Sequence, residues 1–351
     1  MPVDRTQRIA SQVLSRIVDP FIVGSFDRTG YRVHALGFDP DDLDVDLSGR
    51  RCPVTGANSG IGFATAAAFA QRGADVVLLC RDPGRGEAAR DRIAAMPGVD
   101  ADRISLELVD MSDLASVQAA ALRVGEAPVD VLVHNAGVLP DAPMQTPQGL
   151  ELTFATHVAG PFLLTELLVD ALSQRSGARV VWVSSGGMYT QRLQLADPQW
   201  RARDYDGVRA YAETKRAQVV LAQLWAEALA GHGIDVFAMH PGWADTPAVA
   251  SSLPGFHRVM ERVLRTPEEG ADTVVWLSIA PEARVESGRF YFDRVARNEH
   301  LLPWTRETAE DRDRLWWLCK RACDDFRRTP GEASSSLGDD ASRVADGAAA
   351  P

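Results

Sequence analysis

Tyr211 and Lys215 stand four residues apart in Tyr211-Ala212-Glu213-Thr214-Lys215, the spacing that puts two side chains on one face of a helix. A phenol with a pKa of about 10 is a poor acid–base catalyst at neutral pH, and a nearby ammonium favours its anion. The pair is therefore equipped to move a proton to or from a carbonyl or an alcohol. Composition sharpens this reading. The 351 residues include 37 basic side chains, of which only Lys215 and Lys320 are lysine. An ordinary amphipathic helix explains the tyrosine easily and the lysine poorly. Upstream, the apolar run 180–183 delivers Ser184 and Ser185 at its carboxyl end, where α/β proteins bind ligands. A hydroxyl there could hold a substrate oxygen; a plain strand-end serine is an equally simple reading.

A second group of residues suits phosphate. Thr55-Gly56-Ala57-Asn58-Ser59-Gly60-Ile61-Gly62 joins an apolar run to a helical one. Glycines let the backbone turn tightly and approach a ligand, and the helix N-terminus offers unpaired N–H groups to a pyrophosphate. The spacing is Gly-x-x-x-Gly-x-Gly, not the commoner Gly-x-Gly-x-x-Gly. Its place in the first βα turn is what points to a dinucleotide. Arg81 follows the second apolar run, where an acidic residue would bind the ribose of NAD and an arginine can pair with the 2′-phosphate of NADP. The other reading is a solvated surface arginine with Asp82 beside it; NADP is favoured.

The elements that must position these groups are strand-like runs at 52–55, 76–80, 104–109, 129–133, 180–184, 234–239 and 289–292. Helical periodicity fills the gaps, as at 60–72, 114–124 and 211–230. Short Val/Leu runs alternating with helices predict a doubly wound, parallel, seven-stranded α/β sheet covered on both faces. Pro53 is at odds with a central first strand, because it lacks an amide proton. Ile9, Val13, Ile17 and Phe21 lie on one stripe and predict a helix over about 3–23, packed on the domain or lying on a membrane surface. The expected organisation is this helix and an acidic, solvated loop over 1–47, one catalytic domain over 48–302, a helix over 303–328 and a disordered tail over 329–351. In the third of these parts, Leu315, Leu318, Cys319, Ala322 and Phe326 share a face.

A net charge of −11 argues against a nucleic-acid partner, which needs a cationic footprint. The four cysteines, Cys52, Cys80, Cys319 and Cys323, lack zinc-site pairing and read as core thiols of a cytoplasmic protein, so no metal is expected. No run of about 18 apolar residues predicts a membrane span.

Taken together, Thr55-Gly56-x-x-x-Gly60-x-Gly62, Asn135-Ala136-Gly137, Ser185, Tyr211-x-x-x-Lys215 and Pro241-Gly242 with Thr246 resemble the short-chain dehydrogenase/reductase family, in the family's order and over about residues 48–295. A closer resemblance is to its member 12-like subgroup. It rests on Ser184-Ser185-Gly186-Gly187-Met188, on Met239-His240-Pro241-Gly242-Trp243-Ala244-Asp245-Thr246-Pro247 and on Pro254-Gly255-Phe256-His257, with 26–43 also similar. The resemblance implies a Rossmann-type domain, usually in a homo-oligomer, that passes a hydride between a nicotinamide and a carbonyl or alcohol carbon. It implies that Tyr211 transfers the proton, that Ser185 positions the carbonyl and that Lys215 holds the nicotinamide ribose. Asn58, Ser59 and Ile61 would lie along the cofactor with the turn's glycines. Asp110, with Met111 beside it, would meet the adenine. Asn135, Ala136 and Gly137 would form the floor, and Pro241, Gly242 and Thr246 would meet the nicotinamide end.

One departure matters. His157 stands where the family has an asparagine of a proton relay. A histidine titrates near neutrality and can keep such a relay, or it can be a space-filling side chain. The expected activity is thus NADP(H)-dependent reduction or oxidation of a mostly apolar small molecule. The alternative is a weakened family member that senses NADPH or scaffolds a partner. Two stretches, one between Ser185 and Tyr211 and one over 248–264, read either as apolar lids or, for the second, as a packed helix.

Overall fold

The computed structural model describes residues 11, 14–15, 22–247, 254–281 and 284–327. The expected N-terminal helix and tail therefore fall mostly outside the described residues. Among the described residues, eight strands form one sheet: β1 Arg51–Thr55, β2 Asp75–Cys80, β3 Ile104–Leu108, β4 Val131–His134, β5 Ala178–Val183, β6 Ile234–His240, β7 Phe290–Phe292 and β8 Val295–Arg297. Their order is β3-β2-β1-β4-β5-β6-β7-β8, parallel throughout except for the β7–β8 pair. The eighth strand corrects the expected seven. It is three residues long and follows a turn in which Asp293 and Arg294 both take positive φ, with Val295 exposed, so it carries no apolar run to reveal it.

The helices are α1 Ile22–Phe26, α2 Arg28–Ala35, α3 Gly60–Ala70, α4 Pro83–Ala94, α5 Leu114–Val124, α6 Leu152–Ser173, α7 Gly207–Leu229, α8 Pro254–Met260, α9 Pro267–Ile279 and α10 Ala309–Cys323. Side chains alternate across each strand, so Val77 and Leu79 pack towards α5, α6 and α7, while Val76, Leu78 and Cys80 pack towards α3 and α9. Burial on both faces is what made the strands legible as continuous apolar runs. Contrary to expectation, α6 is long and apolar enough to cross a membrane, but most of it is buried as a core helix.

Pro53 has a local account. The Arg51 carbonyl accepts from Asp130 N–H, so alternate residues of β1, Pro53 among them, face β4. The β1–β4 ladder is registered at Val54↔Val133 alone, whereas β1–β2 is registered at five positions. The missing proton shortens one ladder, and the flanking contacts hold the strand in place.

The acidic loop is less solvated than expected. The Asp42 carboxylate is buried, accepts from Trp276 Nε1 at 3.2 Å and pairs with Arg284. At the other end of the chain, a Thr308–Asp311 capping box starts α10. Leu315, Cys319 and Cys323 are fully buried there, and Trp316 meets Phe162 and Trp225 at 4.9 and 4.7 Å. That helix covers the outer faces of α6 and α7.

Candidate functional site

A cleft of about 600 Å³ lies along the carboxyl ends of the strands, centred where the order reverses between β1 and β4. Of the residues expected in the site, all but Thr55, Gly62 and His157 line it. Those three stand behind its walls.

At one end the β1–α3 turn forms the floor. Gly56 has φ +66°, and a Cβ there would lie 3.0 Å from Ala136 Cα. At Gly62 a Cβ would come within 2.4 Å of both Gly56 O and Asn135 Nδ2. Gly62 thus does not face a ligand; it lets α3 close onto the turn. Thr55 is the other hidden support. Its Oγ1 accepts from Asn135 N–H at 2.8 Å and Ala136 N–H at 3.0 Å and donates to Val133 O. Asn135 Nδ2 donates back to Thr55 O at 2.9 Å, so the ends of β1 and β4 are locked together. Ser59 caps α3 in extended conformation without a side-chain bond, which leaves its hydroxyl at the cleft with Asn58 and Ile61. Arg81 and Arg85 both line this end. The Asp82 carboxylate caps α4 by accepting Arg85 N–H at 2.8 Å, so it is used by the helix. Asp110 lies 3.9 Å from Arg81 and accepts from Ser112 N–H and Oγ–H.

At the other end the structure separates the two serines. Ser184 is buried and donates to Lys215 O at 2.7 Å. Ser185 turns to the cleft, which Tyr211 also lines, and its hydroxyl accepts from Gly187 N–H. Lys215, 3% exposed, donates to Val183 O at 2.8 Å, with its nitrogen 5.4 Å from the centre of the Tyr211 ring. Two bonds therefore hold α7 against the end of β5. Burial pushes the Lys215 pKa down to about 7. Burial also raises that of Tyr211, with the Ser185 hydroxyl opposing. The expected lowering of the phenol by a neighbouring ammonium is not found: burial raises it, and Lys215 is not among the groups that shift it. The phenol holds its proton at neutral pH and can donate it.

His157 is fully buried on a π-helical turn, Ala155–Ala159, inside α6. Its Nε2 accepts from Val138 N–H at 2.9 Å, so the ring proton is on Nδ1, which faces Thr214 Oγ1 at 2.8 Å. Thr214 Oγ1 in turn donates to the Tyr211 backbone carbonyl at 2.9 Å. The direction of the chain is set at every link. Burial first, and Lys215 second, push this histidine well below its usual range, which corrects the expectation that it titrates near neutrality. It is a neutral strut between the Val138 segment and the Tyr211 turn, and its carbonyl accepts from Gln218 Nε2.

The segment between Ser185 and Tyr211 is fastened down, which corrects its reading as a lid. Arg203 makes two bonds of 2.9 Å to the Glu213 carboxylate and lies 3.7 Å over the Trp200 ring, and Tyr205 donates to Glu151. Only Ser185, Gly187, Thr190 and Val208 of it reach the cleft. The second expected lid lies partly outside the described residues; its described part is α8. Sequence reasoning missed Val138, Leu139, Val208 and Trp243, which make the reaction end apolar. Trp243 was signalled by its place after Pro241-Gly242; the others belong to segments without a motif.

The pattern described as short chain dehydrogenase matches residues 51–255. The chain belongs to the short-chain dehydrogenase family. It is 42% identical over 293 residues to dehydrogenase/reductase SDR family member 12 of Bos taurus, covering 83% of this chain and 91% of that one. The Homo sapiens counterpart is 41% identical, covering 86% and 95%. Among solved structures, a 3-oxoacyl-(acyl-carrier-protein) reductase from Agrobacterium tumefaciens, with NADP bound, has a TM-score of 0.56 at 28% identity, covering 70% of this chain and 93% of that one. The chain is thus a family oxidoreductase, with the family's fold and a site of the kind that takes a nicotinamide cofactor.

Proposed function

We propose that the protein is an NADP(H)-dependent reductase or dehydrogenase acting on a carbonyl or alcohol carbon of a mostly apolar small molecule. The observation that carries this is that Ser185 and Tyr211 together line the apolar end of the cleft, with Lys215 one turn behind Tyr211. The opposite end fits a dinucleotide: its glycine turn leaves no room for a Cβ, and Arg81 and Arg85 suit a 2′-phosphate. Bound there, the cofactor supplies or takes the hydride. Ser185 would hold the substrate oxygen beside the phenol of Tyr211, and Tyr211 would give it a proton in reduction or take one in oxidation. Lys215, in its ammonium form, would favour negative charge developing on that oxygen.

The test is a panel of aldehydes and ketones with NADPH and NADH, run on the wild type and on Tyr211→Phe. The expected result is turnover with NADPH and a loss of about 10²–10⁴-fold in kcat for the variant. Undiminished turnover in Tyr211→Phe rejects this mechanism, and tight NADPH binding with no turnover across the panel favours a cofactor-sensing role.

A further inference from the structure

Phe26 and Arg265 lie outside the residues matched by the family, 51–255, yet both grip a loop inside them. That loop follows β6 and presents Pro241, Gly242, Trp243 and Ala244 to the cleft. Arg265 is fully buried and places all five of its N–H donors. Nε donates to Asp27 O at 3.1 Å, one terminal nitrogen to Asp293 Oδ1 at 2.6 Å and Pro241 O at 3.4 Å, and the other to Asp293 Oδ2 at 2.9 Å and Ser25 O at 3.0 Å. One side chain therefore joins the N-terminal segment, the cleft loop and the end of β7. Gly242 has φ +76°, and a Cβ there would lie 2.3 Å from Arg265 Nε, so the loop is moulded onto the guanidinium. His34 completes the group with a 2.6 Å contact to Asp293.

Phe26 works from the other side. Its carbonyl accepts from Trp243 N–H at 2.8 Å, while Trp243 O accepts from Arg265 N–H. Its ring lies 4.4 Å from that of His240, 5.2 Å from Phe292 and 5.9 Å from Trp243. A Cβ at Gly186 would come within 2.8 Å of the same ring, so the turn that carries Ser185 rests directly on it. One aromatic side chain thus underlies both walls of the reaction end.

We propose that the Ile22–Ala35 region is a built-in part of the substrate site, with Phe26 and Arg265 as positioning residues. Phe26 sets the distance between the Ser185–Gly186 turn and the Trp243 wall, and Arg265 fixes the loop that carries that wall. They define the width of the slot that admits an apolar carbonyl compound. The substrate part of this inference rests on the function proposed above. The glycines of the nucleotide turn sit against Ala136, Asn135 and Thr246, and the turn should be indifferent to Phe26.

The test compares Phe26→Ala, Phe26→Leu and Arg265→Lys with the wild type in the full chain, by amide hydrogen exchange with and without NADPH. In Phe26→Ala, exchange is expected to rise about tenfold or more in residues 185–190 and 241–246 and to stay unchanged in 55–62. Phe26→Leu should fall between the two. Arg265→Lys, which has at most three donors for five acceptors, should loosen 241–246 more than 185–190. With a turned-over carbonyl substrate, KM should rise about tenfold in Phe26→Ala, with NADPH affinity within about twofold. Exchange that rises evenly over the sheet, or an unchanged KM with unchanged exchange, overturns the proposal. Failure of the Tyr211→Phe experiment would leave the exchange result standing, so the two readings fail separately.

Discussion

The two ends of the cleft are built on opposite principles. The nucleotide end is made of backbone: a short contiguous turn in which Gly56 and Gly62 clear space and Thr55 and Asn135 lock two strand ends. Its charged side chains are open to water; Arg81 is 63% exposed. The reaction end is made of buried side chains from β5, α6 and α7, and burial sets their proton affinities. The difference teaches that the first end depends on shape and is sensitive to one added methyl. The second depends on hydrogen-bond direction and desolvation, and is sensitive to the loss of one polar atom.

The largest effect should come from breaking the reaction end alone. Lys215→Gln is expected to lower kcat by about 10²–10³-fold while leaving the fold intact. The pH profile makes this sharper. With the pKa of Lys215 pushed down to about 7, the ammonium form is present below that pH and lost above it. Reduction by the wild type should therefore fall as pH rises through about 7, and that inflection should be missing in Lys215→Gln. A wild-type profile flat between pH 6 and 8 would show that water or ligand restores the ordinary lysine value. Stability runs the other way. The unfolded chain keeps this proton to about 10.5 and the folded chain releases it near 7, so stability should rise with pH between those values.

The matching change at the nucleotide end is Gly62→Ala. Its Cβ would meet the Gly56 carbonyl at 2.4 Å, a backbone atom that cannot step aside without opening the turn. NADPH affinity should fall by about tenfold or more, measured by fluorescence titration, while the Ser185–Tyr211 pair is left in place. Equal loss of stability at both ends, seen by hydrogen exchange, would deny that the ends are separable.

A subtler change tests the reaction end's directional bonding. His157→Phe keeps a ring but leaves Val138 N–H without an acceptor, at a cost of about 1–3 kcal/mol, and takes from Thr214 Oγ1 the donor it accepts from, while its bond to the Tyr211 carbonyl stays. His157→Gln can replace one bond and should lose less. Denaturant midpoints would order the three proteins. Acid adds a second signature. Burial holds His157 well below its usual range and pushes His134 and His240 down to about 3, so the unfolded chain binds protons that the folded chain refuses. Stability must then fall as pH drops below about 6.5, with up to about 4 kcal/mol per pH unit from the three together. Removing His157 should reduce that slope by about 1.4 kcal/mol per unit. An unchanged slope would mean that His157 is protonated in the folded state.

The same contrast explains what could be read before the structure. The glycine turn, Asn135 and the Tyr211–Lys215 spacing are local patterns, and the cleft gathers them as expected. Seven parallel or near-central runs were legible because both sheet faces are covered; β8, short and half-exposed, was not. The support of Ser185 by Phe26, the clamp of Arg265 on Asp293 and the inverted titration of Lys215 are products of long-range packing. No spacing in the sequence records which strand end a distant side chain will meet. Asp82 shows the finer limit: it looked like a rival to Arg81 until its carboxylate was found capping α4.

That cap leads to the smallest expected effect, at Arg81 itself. If Arg81 meets a 2′-phosphate, Arg81→Ala should weaken NADPH by about tenfold at low salt and leave NADH unchanged, because NADH offers nothing for the guanidinium to pair with. The side chain is largely exposed, so the difference should shrink as ionic strength rises and the Debye length falls below about 10 Å. Its 3.9 Å approach to Asp110 adds to the NADPH loss: without Arg81 that carboxylate keeps its Ser112 bonds but has no cation to offset it beside the 2′-phosphate. The double variant Arg81→Ala/Arg85→Ala measures how far Arg85, which lines the same end, shares the load. A double variant no worse than the single assigns selectivity to Arg81. A single variant without effect moves it to Arg85, and a double variant without effect removes the phosphate from this end of the cleft altogether.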